Sequence, residues 1–290
     1  KDWEQAGVTY LGCSEQESLT FETQKIVPWN LPARANIGFL YAMEHGATTI
    51  SQLDDDNIPY ENIWKVPPFD ATYSQVNTGT FLNIYKHFTD AFIWPRGFPL
   101  EKILESQKET ETNQKTSVGI WQHLANNDTD VDAIYRLTRG GVITFDKRAP
   151  ITLANGTVCP FNCQSTTYEK SVFPLLYLPA FVSPRESDII RSLIAQPLMW
   201  HIGKTLGFTE ATVFQERNPH NYHKDFIAEM RIYLYAEDIF NIALSASKKE
   251  NSLAKNMKLT YTELVKRNII PEEELTLLNA WLNDVSQFTT

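Results

Sequence analysis

Asp54, Asp55 and Asp56 stand together in "TTISQLDDDNIP", directly after a run rich in β-branched residues. Three adjacent carboxylates repel one another and hydrate well, so folding alone gives no reason to place them there. Along an extended chain, side chains i and i+2 share a face, so Asp54 and Asp56 can address one ion while Asp55 turns elsewhere. Hard oxygen donors of this kind suit Mg²⁺ or Mn²⁺, which keep open positions for phosphate oxygens. The stretch also reads as a solvated turn or as the cation site of a binding protein. An EF-hand calcium loop fits poorly, because counting from Asp54 the sixth position is Pro59 instead of Gly and the twelfth is Lys65 instead of Glu. "DTDVDAIYRLTR", counted from Asp128, fails at the same two positions, with Ala133 and Arg139.

The elements around the aspartates predict an α/β unit. Val8 to Leu11 reads as a short strand, and "ARANIGFLYAMEHGA" as a helix with Asn30 as N-cap, Pro32 in its first turn and Gly46 as its stop. "TTISQL" is then a strand that runs into Asp54. Strand, helix and strand in this order suggest a parallel unit, whose ligands bind beyond the carboxyl ends of the strands. Further on, "EKILESQKETETNQKTS", Glu101 to Ser117, is polar and predicts a mobile surface loop. "SPRESDIIRSLIAQPLMWHIGKTLG" predicts a helix capped by Ser183 or Ser187 and kinked or split at Pro197. From Asp225 the chain is helical in character. "KKENSLAKN" reads as a loop, and Leu275, Leu278, Trp281, Leu282 and Val285 form one apolar stripe.

Composition narrows the classes. The 290 residues can bury a sizeable core, and the net charge of −9 speaks against a nucleic-acid partner. No stretch reaches the roughly 18 uninterrupted apolar residues of a membrane span. Cys13, Cys159 and Cys163 lack zinc-site spacing and read as small hydrophobes. The sequence opens on "KDWEQAGVTYLG", with no leader pattern, and reads as beginning inside a domain, downstream of a first strand.

Several segments, in order, resemble the STELLO-type glycosyltransferases, a plant and invertebrate Golgi family: "KDW" with "YLGCSEQESL", "ARANIGFLYAMEHGA" with the following aspartates, "NIYKHF", "WPRGFPLEKI", "DVDAIYRLTR" and "DIIRSLIAQPLMWHIG". This likeness covers roughly residues 1–215, and the helical tail matches poorly. The triple aspartate, "DVDA" and "ESDIIRS" also resemble, more distantly, the UDP-arabinopyranose mutase family of reversibly glycosylated polypeptides. Both resemblances imply a GT-A-like nucleotide-sugar-binding α/β/α sandwich with a mostly parallel mixed sheet. Residues 1–224 would form that domain and residues 225–290 a helical extension packed on it. The family also implies a Golgi lumen location with an upstream anchor; otherwise the chain would be cytoplasmic.

The resemblances imply transfer of a hexose, or a pentose such as xylose, from a UDP-sugar to a glycan hydroxyl, with Mn²⁺ or Mg²⁺ on the leaving diphosphate. Asp56 is the expected direct metal ligand, with Asp54 toward the ribose or a metal-bound water and His220 as a further ligand. Asp188, at the start of its helix, is the expected base of an inverting reaction. Asp55, Arg34, Asn36 and Arg96 are placed with the donor, and Asp130, Asp132, Trp94 and Glu186 with the acceptor. Each has a plainer reading: a solvated loop for Asp130 and Asp132, a helix-stabilising carboxylate for Asp188, surface ion pairs for the arginines, and core for Trp94. The competing functions are a nucleotide-sugar mutase or self-glycosylating protein, and a scaffold that retains the fold without catalysis.

Overall fold

The structure, a computed structural model, describes residues 7–106, 108–216 and 219–289. The "KDW" segment of the resemblance lies outside them. The strands are β1 (Thr49–Leu53), β2 (Asn57–Pro59), β3 (Asp70–Asn77), β4 (Thr110–Asn127), β5 (Ile151–Leu153), β6 (Ser165–Glu169) and β7 (Thr205–Gln215). The helices are α1 (Cys13–Ser18), α2 (Glu22–Ile26), α3 (Ala35–Glu44), α4 (Tyr85–Phe88), α5 (Ala133–Thr138), α6 (Pro184–His201), α7 (Tyr222–Ala228), α8 (Met230–Ala246), α9 (Leu253–Lys266) and α10 (Glu273–Ser286).

All seven strands join one mixed sheet in the order β1-β6-β4-β3-β5-β7-β2, with β4 also paired to β7. The α/β class stands, but the mostly parallel sheet needs correcting. Only β3–β5 and β4–β7 are parallel among the described ladders. The reason lies in where β1 docks. It pairs with β6, which runs the opposite way, instead of lying beside the next strand in sequence. Direction is nevertheless conserved where a site needs it. β1 opposes β6, β6 opposes β4, and β4 runs parallel to β7, so β1, β4 and β7 point the same way. Their carboxyl ends open at one edge, where α/β sheets receive ligands. The chain leaves β1 at Asp54 and crosses that edge in a turn to reach β2, which pairs with β7.

The second part of the segment expected to be a mobile loop is strand. From Thr110 it forms the first half of the 18-residue β4 and pairs with β3 from Asp70↔Ser117 to Asn77↔Thr110. Thr110 to Lys115 are exposed, so side chains on both faces of this half of β4 meet water and the apolar alternation that would mark a strand is missing. From Val118 the same strand enters the core between β6 and β7.

Ser183, not Ser187, caps α6, and with Glu186 it forms a reciprocal capping box. The helix continues through Pro197 to His201 without splitting, since burial from Glu186 to Met199 outweighs the one backbone bond proline forfeits. In the tail, "LAKN" begins α9, capped by Ser252, where the sequence suggested a loop. The tail is bonded into the sheet domain by buried carboxylates. Glu274 accepts from the Tyr177 hydroxyl and from the backbone N–H groups of Ala180 and Phe181, and Asp284 accepts from those of Glu22 and Thr23 at 3.0 and 2.8 Å. No described helix is long and apolar enough to cross a membrane.

Candidate active site

At the carboxyl edge of β1, β4 and β7 lies a cavity of about 170 Å³ whose walls include Asp54, Asp56, Arg96, Asp130, Asp188 and His220. Six residues chosen from the sequence therefore meet in one place, although they come from five separate segments.

Arg96 is the node. Its Nη1 and Nη2 donate to the two oxygens of Asp188 at 2.9 and 2.8 Å, a fork-to-carboxylate pair, and its Nε donates to Asp130 at 2.8 Å. It also donates to the Arg185 carbonyl. All three charged residues are buried, with side-chain exposures of 6% for Arg96, 7% for Asp130 and 10% for Asp188. Burial pulls the guanidinium down, but the two carboxylates outweigh it and hold Arg96 well above its usual range. Burial likewise pushes Asp130 up, and Arg96 beside it reverses the sign and keeps the carboxyl below its usual range. Gly97 brings the segment this close to α6. It has φ +83°, and a Cβ there would sit 2.3 Å from Ile189 Cγ2, one residue past Asp188.

Asp54 and Asp56 are held differently. The backbone N–H of Asn57 donates to the Asp54 carbonyl at 3.3 Å, so the three aspartates form a turn and not the extended run that would align i with i+2. Both carboxylates line the cavity all the same, while Asp55 points outward and is exposed. Neither Asp54 nor Asp56 has an ion pair among the described residues. The side-chain amide of Gln215 donates to both oxygens of Asp56, at 3.0 and 2.9 Å. The Asp54 carboxylate accepts no hydrogen bond among the described residues. Burial, with the charges of Asp188, Asp56 and Asp130 added to it, pushes Asp54 up to about 7 against a partial offset from Arg96.

The four carboxylates thus divide into a pair neutralised by Arg96 and a pair with no ion pair among the described residues. The second pair fits a hard divalent cation, which would replace repulsion with ligation. The set remains incomplete as a cage. Among the described residues no three His, Cys, Asp or Glu side chains form a metal-holding group, so Asp54, Asp56 and His220 do not come together as the expected ligand trio. His220 reaches the cavity wall with its Nδ1 3.1 Å from the Asp225 carboxylate. Mg²⁺ and Mn²⁺ bind through one or two carboxylates when phosphate oxygens and water complete the shell, so two are sufficient.

The remaining candidates hold the fold. Asp132 is the N-cap of α5, accepting from the Tyr135 N–H at 2.7 Å and the Trp94 indole at 2.6 Å. Trp94 is accordingly core, packed edge-on against Tyr135, and presents no sugar platform. Burial lifts Asp132 to about 6 despite those two donors. Glu186 serves the capping box and pairs with Arg231. Asn36 exchanges two 2.9 Å hydrogen bonds with the Leu178 backbone, locking α3 to the chain before α6. Arg34 donates to Gln16 and the Val27 carbonyl and lies 3.6 Å over the Trp29 ring, outside the cavity. The cavity also contains residues that the sequence did not single out: Arg136, Arg185, Gln164, Gln215 and Cys163. Arg136 pairs with Asp128 and Arg185 with Glu229. Gln164 immediately precedes β6 and Gln215 ends β7, while Arg136 and Arg185 come from α5 and α6, and none of the four stands in a recognisable spacing.

A mixed sheet flanked by helices, acidic at the carboxyl edge of its co-directional strands, is a GT-A-like α/β fold. Residues 185–289 match the family model of STELLO glycosyltransferases. The chain is 27% identical to "Probable glycosyltransferase STELLO1" of Arabidopsis thaliana, across 98% of the chain and 39% of that protein. It is 28% identical to "Probable glycosyltransferase STELLO2" of the same plant, across 98% of the chain and 40% of that protein. The resemblance to STELLO-type glycosyltransferases therefore holds, and it extends through the helical tail that the sequence reading left out. The chain spans about two fifths of the length of these relatives.

Proposed function

We propose that this chain is the nucleotide-sugar-binding part of a metal-dependent glycosyltransferase, acting on a UDP-sugar and a glycan hydroxyl. One observation carries the reading: Asp54 and Asp56, which have no ion pair among the described residues, share a cavity with the Asp130–Arg96–Asp188 cluster at the carboxyl edge of the sheet. Asp54 and Asp56 would hold Mn²⁺ or Mg²⁺, which when bound stabilises the charge of a departing diphosphate. The cavity, about 170 Å³, accommodates a diphosphate end and not a whole nucleotide sugar, so the base and ribose would lie along the outer edge.

Asp188 is the proposed base of an inverting transfer. It would take the proton of the acceptor hydroxyl while the oxygen bonds to the anomeric carbon and UDP leaves with the electron pair of the broken bond. Arg96 now occupies both Asp188 oxygens, so the base becomes available only as Arg96 is drawn toward the incoming diphosphate. Asp130, gripped by the same guanidinium, is the second carboxylate within reach of this exchange.

The test is a panel of UDP-sugars with Mn²⁺, read as UDP release, beside calorimetry of UDP binding. We expect release from one donor and an Asp56→Ala variant at least about 100-fold weaker in Mn²⁺-dependent UDP binding. Full activity in a folded Asp56→Ala would remove the metal assignment. The Arg96 lock also favours a second reading, a non-catalytic scaffold, which predicts no UDP binding even at millimolar concentration. Isomerised donor without released UDP would instead indicate a mutase.

A further inference from the structure

Asp56 is held by the end of a buried row of neutral amides. Gln122, inside β4, donates to the Asn162 Oδ1 at 3.2 Å and accepts from the Asn162 N–H at 2.8 Å. Asn162 Oδ1 in turn accepts from the Gln164 N–H at 2.9 Å. The Gln164 Nε2 donates to the Asp128 carbonyl at 3.2 Å and to the Gln215 Oε1. With its carbonyl oxygen engaged by that donor, Gln215 can present only its Nε2 to Asp56. Exposures of 2% for Gln122, 6% for Asn162, 7% for Gln164 and 9% for Gln215 bury the row, with Gln164 and Gln215 at the cavity wall. The Gln164 carbonyl also accepts from the Asp54 N–H at 3.4 Å and from the Asn57 side-chain amide, so the same residue grips the turn by its backbone.

We infer that Gln164 and Gln215 are positioning residues for a divalent cation: they orient the Asp56 carboxylate while leaving its charge intact. This rests on the metal-dependent reading of the site. The chemistry explains the choice of residue. An arginine or lysine at position 215 would cancel the carboxylate charge and compete with the cation, as Arg96 does at Asp188. An amide donates without adding charge and does not itself titrate. Outer partners of this kind commonly change metal affinity by about 10–100-fold when removed.

The experiment measures Mn²⁺ affinity in the presence of saturating UDP, by electron paramagnetic resonance of free Mn²⁺, on the full chain. Met is nearly isosteric with Gln and donates nothing, so Gln215→Met keeps the packing at the end of β7. The expected result is a Kd for Mn²⁺ raised about 10–100-fold in Gln215→Met, with the thermal midpoint close to wild type. Gln164→Met, which does not touch Asp56, should raise the Kd in the same direction. The double variant should be no worse than Gln215→Met alone, because the two act through one hydrogen-bonded row. A lower thermal midpoint with an unchanged Kd in both single variants would show a merely structural role and overturn the inference while the functional reading stands. Wild-type protein without Mn²⁺ binding would remove the reading and the inference together.

Discussion

At the scale of single residues, the site is organised by which carboxylates are neutralised. Arg96 serves two buried carboxylates at once, so its removal strands both Asp130 and Asp188. Replacing it with Leu should cost about 3–5 kcal/mol of folding stability, because an unpaired buried charge is left behind. Urea unfolding measures this directly, and a loss below about 1 kcal/mol would mean the pair is solvated in solution. The acidic residues were legible in the sequence because each followed a recognisable element: Asp54 and Asp56 a strand, Asp188 a helix start. Residue type alone misled elsewhere. Asp132, Glu186 and Trp94 are of the right type for sugar recognition, yet their hydrogen bonds go to a cap, a capping box and each other. "SPRE" carries the serine and glutamate of a capping box, so that role of Glu186 could have been read. Gln164 and Gln215 could not, since an uncharged amide acquires its meaning only from its neighbour.

At the scale of elements, β4 holds the sheet together and carries a test of burial. His123 lies in its middle, 2% exposed, with its ring nitrogens 2.7 Å from the Thr209 hydroxyl and 3.1 Å from that of Thr167. Burial pulls its imidazole from 6.5 down to about 4. The unfolded chain therefore binds more protons than the native one between pH 6.5 and 4. The stabilisation is complete above 6.5 and is lost as pH falls through that window, up to about 3 kcal/mol. Denaturant titrations of wild type and His123→Gln at pH 7 and 4.5 should differ in slope by that residue's share. Equal pH dependence in the two would mean that water reaches the imidazole. The first half of β4 was misread as a loop because it is polar on both faces, and periodicity registers a strand only when one face is dry. The parallel unit was misread for a related reason. Sequence order identifies β1 and its aspartates but not the partner beside which β1 docks.

At the scale of the whole molecule, buried hydrogen bonds tie the tail to the sheet domain and predict one cooperative unfolding unit. Glu229, between α7 and α8, accepts from Arg185 of the cavity wall and from the Ala133 N–H at the start of α5. Glu274 receives three donors from the chain that leads into α6. Glu274→Ala would leave those donors buried without an acceptor and should cost about 3 kcal/mol or more, seen as a lower midpoint in one shared transition of far-ultraviolet circular dichroism and tryptophan fluorescence. Two separated transitions would instead mark the tail as an independent unit. The Asp284 carboxylate has a consequence in time as well as in space. It caps α2 across a sequence separation of 262 residues, and α2 is only five residues long. A helix that short does not persist alone in water, so until residue 284 has been synthesised and docked, the amides of Glu22 and Thr23 have nothing to bond but solvent. Closure over such a distance is slow, and pulse-labelled hydrogen exchange during refolding should show the Thr23 amide gaining protection in the last phase, after β4. Protection of Thr23 together with β4 would refute that order. On the ribosome, this part of the chain waits for its far end.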